Sequence, residues 1–440
     1  MRRTAEAILV AGLLAAPSPR ARANGAFPDS QSVITPSDRP AEIILATNFG
    51  LVISEDAGQS WQWSCERDAN AYGILYQQGP APLHRLFTVA GDKLVFSDDG
   101  SCGWQTAAGA LAPQLVTDAF PDPSDADHVL AIGYDGGIFG VFPSRDGGAT
   151  FDGPLYEAAA GDGIGGVEIA RSDARVIYVA MTNAASSMPK LARSGDGGAS
   201  WTVTDLGPML GLGVARIIAV DPADPNTVLL RVMGSDGQSI ALTRDGGATV
   251  TVSLSIAGTF TSYVQLANGT RLVGALVESS TTPALYRSHD GGATFETVAG
   301  PPAIRALSRR GDVVYAATDN FAVGYALGVS TDEGTTWRAG MAYDQVRAIL
   351  GCVRDDPQCQ ASCQALAGRG AMPPGTIWDA AVCSANPLPE PPTPLPEPPA
   401  MTGGGGCGCA TVETGSSLAV VPFLFLFLGL VLAVASRRRA

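Results

Sequence analysis

Apolar and polar residues alternate in short runs along most of this chain. QSVITPS, EIILATN, LVISEDAG and SWQWSCE follow one another near the start, and AIRALSRR, DVVYAATD, YALGVSTDEG and TTWRAG close the series. A period of two marks strands with one buried face. The runs come in groups of four, with breakers between the first two of a group at Ser37 and Asp38, Asp122 and Pro123, Asp221 and Pro222, and Asn268 and Gly269. The pattern predicts repeated four-stranded units and no long amphipathic helix in this part of the chain.

An octapeptide of the form S-x-D-x-G-x-x-W sits late in each unit. It reads STDEGTTW at 330–337, SEDAGQSW at 54–61, SRDGGATF at 144–151, SGDGGASW at 194–201 and SHDGGATF at 288–295. TRDGGATV at 243–250 lacks the aromatic residue, and SDDGSCGW at 97–104 has its Gly one place early. The copies recur at intervals of roughly 42 to 50 residues, the period of a propeller or an array. Each reads as a hairpin turn. The Ser and Asp side chains bond to the turn backbone, Gly permits a positive φ, and the aromatic residue anchors the returning strand.

This octapeptide resembles the Asp box of the bacterial neuraminidase repeat, found in sialidases, related glycosidases, sortilin-like receptors and photosystem assembly factors. The resemblance implies an all-β chain, a seven-bladed β-propeller of four-stranded antiparallel blades. It also implies a folding role for Asp56, Asp99, Asp146, Asp196, Asp245, Asp290 and Asp332.

Composition narrows the setting. The chain has 440 residues and a formal net charge of -14, which argues against nucleic acid as a partner. Arg2 and Arg3, an apolar stretch over 7–16 and the small-x-small site at Ala21 and Ala23 predict a signal peptide over 1–23. The propeller is then expected over 24–342, a small disulfide-rich cap over 343–385, a spacer over 386–406 and a sorting tail over 407–440. Export favours disulfides among the eight cysteines. Cys65 and Cys102 are expected to pair, joining blades 1 and 2. Cys352, Cys359, Cys363 and Cys383 are expected to pair among themselves, from the helical stretch CQASCQALAG to both flanks. Zinc is the weaker reading, because no CxxC pair is present and His is scarce. Residues 344–350 (DQVRAIL) look like a further inner strand, which either begins an eighth blade or clasps the ring near the N-terminus.

The spacer holds PLPEPP twice, a stiff extended stretch. Cys407 and Cys409 follow four glycines, 418–435 is an apolar run of membrane-spanning length, and Arg437, Arg438 and Arg439 close the chain. This tail resembles the myxobacterial C-terminal sorting signal. It implies a transmembrane helix, processing near Cys407 by a sorting protease, and display at the cell surface or outer membrane. A plain single-span anchor is the alternative.

Catalytic chemistry is sparse. Sialidases carry an Arg-Ile-Pro motif early in the propeller, and none lies near 25–50 here. His84, His128 and His289 are the only histidines, none beside a Ser or Cys motif. Asp122, Asp125 and Asp127 lack regular calcium-ligand spacing. No Walker loop or dinucleotide fingerprint appears, so no cofactor, metal or catalytic residue is expected. Aligning the innermost strands places Ser32, Gly73, Thr117, Glu168, Arg216, Gln265 and Arg305 at one position, with Arg347 in the extra strand. Such a ring would put guanidinium groups around the channel, suited to carboxylate or phosphate. The resulting expectation is a surface-displayed binding or scaffold protein for a glycan or an extracellular protein. A sialidase-like glycoside hydrolase and an assembly-factor-like chaperone are the alternatives.

Overall fold

The computed structural model describes residues 30–65, 76–278, 281–367 and 377–384. Seven four-stranded antiparallel sheets follow one another, each with its strands in chain order. Blade 4 is representative: Asp162–Ile169 pairs with Ile177–Asn183, then comes Met188–Ser194, then Thr202–Asp205. The first strands of neighbouring blades approach one another around the centre, giving a seven-bladed β-propeller. Strand order places the octapeptide turns, between third and fourth strands, on the same face as the turns between first and second strands.

Alternation along each strand produces separate apolar layers between blades. Leu130, Ile132 and Phe139 of blade 3 meet Ile164, Val167 and Val179 of blade 4. Ile218, Leu229 and Ile240 of blade 5 meet Phe260, Tyr263 and Val273 of blade 6. On the octapeptide face, polar latches cross several of the same boundaries. Arg85 reaches the Gly147 carbonyl, and the Tyr178 hydroxyl donates to Pro225 O at 2.7 Å. Arg193 donates to Asn226 at 3.0 Å, Arg244 to Asp290 O at 3.1 Å, and Arg287 to Thr335 at 3.1 Å.

Residues 343–350 neither start an eighth blade nor line the channel. Val346–Ile349 pairs in parallel with Trp61–Cys65, the outermost strand of blade 1, and makes that sheet five-stranded. It covers an edge that would otherwise present unpaired backbone groups. Arg347 is exposed there, so its expected inner-strand position is corrected. The ring closes by contact between blades 7 and 1. The hydroxyls of Thr35 and Ser308 meet at 2.8 Å, Arg310 donates to Glu42 O at 2.7 Å, and Tyr343 meets Ser30 at 2.7 Å.

The expected Cys65–Cys102 bridge is absent, and of the expected helix-to-flank pairing among the four later cysteines only Cys363–Cys383 forms. Cys65 bonds Cys359, Cys102 bonds Cys352, and Cys363 bonds Cys383. The reason is the parallel edge strand. It delivers Cys352 and the helix Pro357–Ala367 to the outside of blades 1 and 2, where Cys65 and Cys102 end up. Trp378 then packs against Trp63 at a tilt of 54°, with ring centroids 5.2 Å apart. Gly50, at φ +124°, sits beneath: an added Cβ would lie 2.2 Å from Ser64 O and 2.8 Å from the Trp63 indole nitrogen. Among the described residues no helix is long and apolar enough to cross a membrane. The expected signal peptide, spacer, transmembrane run, Cys407 and Cys409 lie outside the described residues.

Candidate functional site

The seven octapeptide aspartates share one local geometry. In the turn of blade 4, the Ser194 hydroxyl donates to Asp196 Oδ1 at 2.8 Å and accepts from Gly198 N at 2.8 Å. Ser200 N donates to Asp196 Oδ1 at 2.8 Å, and its hydroxyl to Oδ2 at 2.6 Å. Equivalent bonds hold Asp56, Asp146, Asp245, Asp290 and Asp332. At Asp99 the shifted glycine changes the details: Ser101 takes the positive φ of 82°, and Gly103 N donates to Asp99 Oδ1 at 2.7 Å. Trp201 and Trp337 donate their indole N–H to Gly198 O at 3.0 Å and Gly334 O at 2.9 Å. The donated hydroxyl and backbone hydrogen bonds hold Asp196, Asp245 and Asp290 down at about 2. These carboxylates are occupied by their own turns.

A second set of charged groups lies on the inner strands. Pairing between first and second strands slips by one residue in six blades, between Ser30 and Ser32, Val116 and Asp118, Ile164 and Gly166, Ile217 and Ala219, Phe260 and Ser262, and Ile304 and Ala306. The slips do not fall at one point of the sequence alignment. Thr117 and Arg305 occupy bulges, Ser32 follows one, Glu168 and Gln265 lie well beyond theirs, and Arg216 precedes its own. Gly73 lies outside the described residues. The expected ring therefore separates into local groupings. Gln265 turns to Asp221 at 3.5 Å, beside the Asp221–Arg271 latch.

Glu168 and Arg216, on adjacent blades, are connected through Asp118, whose carboxylate interacts with both, and Arg231 pairs with Arg216; Asp118 and Arg231 were missed in the sequence. Arg216 and Arg231 are direct partners across Val214–Val220 and Val228–Met233, so they share a sheet face. Arg231 is only 3% exposed, and its Nε is buried without a hydrogen-bond partner. Burial lowers it to about 9, and Arg216 adds repulsion. Asp118, on the inner strand of blade 3, is raised to about 6 by burial, opposed by the charge of Arg216. Glu168 is raised to about 7 by burial and further by Asp118, while Val220 N donates to its Oε2 at 2.8 Å. Gly165 permits the close approach: an added Cβ would lie 2.4 Å from Ala215 O and 3.4 Å from Arg216 Cγ. A lone Arg in the otherwise apolar run VLLRVM was the available sequence signal for Arg231. Asp118 follows Thr117 and was displaced from the alignment by the bulge.

Among the described residues no group of His, Cys, Asp or Glu is arranged to hold a metal ion. Asp122 instead accepts from Ser124 N at 2.8 Å and pairs with His128 at 3.0 Å.

The two sets of acids predict a stability optimum. The depressed turn aspartates stabilise the fold above the unfolded value of about 4, and that contribution is lost as pH falls towards 2. Raised Asp118 and Glu168 work in the opposite sense: stability falls as pH rises through 6 and 7. The gain ends, and the loss begins, near the shared unfolded value of about 4, so thermal melts should peak between about pH 4 and 5. A melting temperature that rises steadily from acid to pH 8 would contradict these assignments.

No family model matches the chain, and no curated protein does. Solved structures share the propeller fold. A GH74 enzyme of Niastella koreensis is 14% identical with a TM-score of 0.41, over 71% of this chain and 66% of that one. YCF48 from Cyanidioschyzon merolae is 11% identical with a TM-score of 0.42, over 66% and 94%. The propeller domain of the Trilobed protease from Pyrococcus furiosus is 10% identical with a TM-score of 0.48, over 72% and 99%. This chain thus spans just under two thirds of the Niastella enzyme.

Proposed function

We propose that this chain is a non-catalytic binding module, displayed outside the cell through its C-terminal tail, whose ligand is an extracellular glycan. The observation that carries this reading is the division of charge in the propeller. The octapeptide aspartates are spent on turns, whereas Asp118, Glu168, Arg216 and Arg231 gather on the inner strands of blades 3 to 5 and the strand behind. Arg305 on blade 7, Gln265 and Arg347 lie apart from this cluster. Display rests on the tail with Cys407 and Cys409, its apolar run and its closing arginines, together with bridges suited to an oxidising compartment. An exported protein partner is the competing reading.

Cells producing the full chain should retain labelled polygalacturonate, lose it after external protease treatment, and release no reducing ends. The purified chain should likewise leave sialyl-lactose intact. Release of reducing ends or sialic acid would replace the binding reading with a hydrolytic one. Retention of no glycan, with capture of an exported protein, would replace the ligand class.

A further inference from the structure

We infer that Arg216 and Arg231 form an anion-binding fork beside the central channel, and that its ligand is the carboxylate of an acidic sugar held next to Asp118 and Glu168. This rests on the binding-module reading and names the ligand chemistry within it. Two like charges directly opposite each other in an antiparallel pair repel. A buried guanidinium without a counter-charge is costly. Both conditions meet at Arg231: no hydrogen bond or ion pair joins it to a described residue and its Nε is buried without a partner, while Arg216 opposite has only the negative charge of Asp118 acting on it. An anion between them removes the repulsion and satisfies the donors together.

Charge selects the anion. The other charged residues of the described inner strands are engaged elsewhere or on another blade. Asp162 is bound by Lys190 at 2.8 Å, Arg310 by Glu42 O, Arg309 bonds Gly311 O at 3.3 Å, and Arg305 lies on blade 7. The cluster then holds two arginines against ionised Asp118 and a Glu168 near half protonation at neutral pH. About half a positive charge is left at neutral pH, matching a monoanion better than a phosphate dianion. A planar carboxylate fits the guanidinium fork bidentately. Asp118 Oδ1 accepts from Ala119 N at 2.9 Å and Glu168 Oε2 from Val220 N at 2.8 Å, which leaves the second oxygen of each for a hydroxyl, and an acidic sugar carries hydroxyls beside its carboxylate. A simple carboxylate lacks them.

The test is calorimetric titration of the purified full-length protein with galacturonate, galactose, acetate and inorganic phosphate at matched ionic strength. Galacturonate should bind, with the other three at least about tenfold weaker. Arg231→Met and Arg216→Gln should each weaken galacturonate about thirtyfold, the cost of removing one member of a desolvated charged pair. Arg216 is only partly buried, so its variant tests the site even if Arg231→Met fails to fold. Acetate binding as well as galacturonate would overturn the sugar, and phosphate binding as well would overturn the carboxylate. Galacturonate binding unchanged in both variants would overturn the fork. These failures are separable from failure of the functional reading. Release of reducing ends alongside arginine-dependent binding would place the fork in an enzyme. Polymer retention that survives Arg216→Gln would keep the binding module and remove the site.

Discussion

Replacing Cys102 and Cys352 together by alanine should lower the unfolding free energy by about 4 kcal/mol, and replacing all of Cys65, Cys359, Cys102 and Cys352 should cost more than twice that. The reasoning concerns the unfolded chain. The Cys65–Cys359 bridge spans 294 residues and Cys102–Cys352 spans 250. With one bridge in place, the other closes only the short circuit between them, so each pair alone is worth less than the last one standing. The last bridge holds the first blades to the segment beyond the seventh and restrains nearly the whole ring in the unfolded state. A total loss of this size approaches the entire stability of an ordinary domain. Urea titrations of the two double variants and the quadruple variant check this. Losses under about 1 kcal/mol for either double variant would show that blade packing, and not the bridges, closes the ring.

Seven blades were legible because one hydrogen-bonded turn carries Ser, Asp and Gly at fixed offsets in each. Even the irregular copy at Asp99 kept its carboxylate in the turn, with Ser101 adopting the positive φ. Partners across long sequence distances were not legible. Cys65 and Cys102 are neighbours in sequence, but the edge strand Val346–Ile349 runs parallel to Trp61–Cys65 and presents Cys359 and Cys352 to them. Alternation identified that strand without saying which edge it joins. The inner-strand alignment failed for a similar local reason. One extra residue at a bulge changes which side chain faces inward, and the bulges fall at different offsets, at Gln31, Gly165 and Ile218 for example. Glu168 and Arg216 were identified as residues of interest, whereas Arg231 requires the register of a second strand to be seen.

Trp63→Ala should destabilise the protein by about 4 kcal/mol or more, and Trp378→Ala should act chiefly on the clasp. Trp63 is fully buried in the outer strand of blade 1, and its indole N–H donates to Phe49 O at 3.0 Å. Removing it leaves both a large cavity and a buried carbonyl without its donor, two costs that add. The ring also carries the clasp. Trp378 lies 5.2 Å from Trp63 and 5.8 Å from Phe49, and Phe49 lies 5.1 Å from Tyr343, which meets Ser30 at the ring closure. Blade 1, the ring joint and the disulfide-bonded segment therefore share one apolar cluster. Trp378 contributes to that cluster from Ile377 to Cys383, held by the Cys363–Cys383 bridge. Losing Trp378 should loosen this piece before the blades melt, seen as faster proteolysis near residue 377 at nearly unchanged blade melting. Losing Trp63 should lower the melting of the whole propeller. Equal global losses in the two variants would show that the clasp and the ring unfold as one unit, and a negligible loss in Trp63→Ala would show that the disulfides alone hold blade 1 to the clasp.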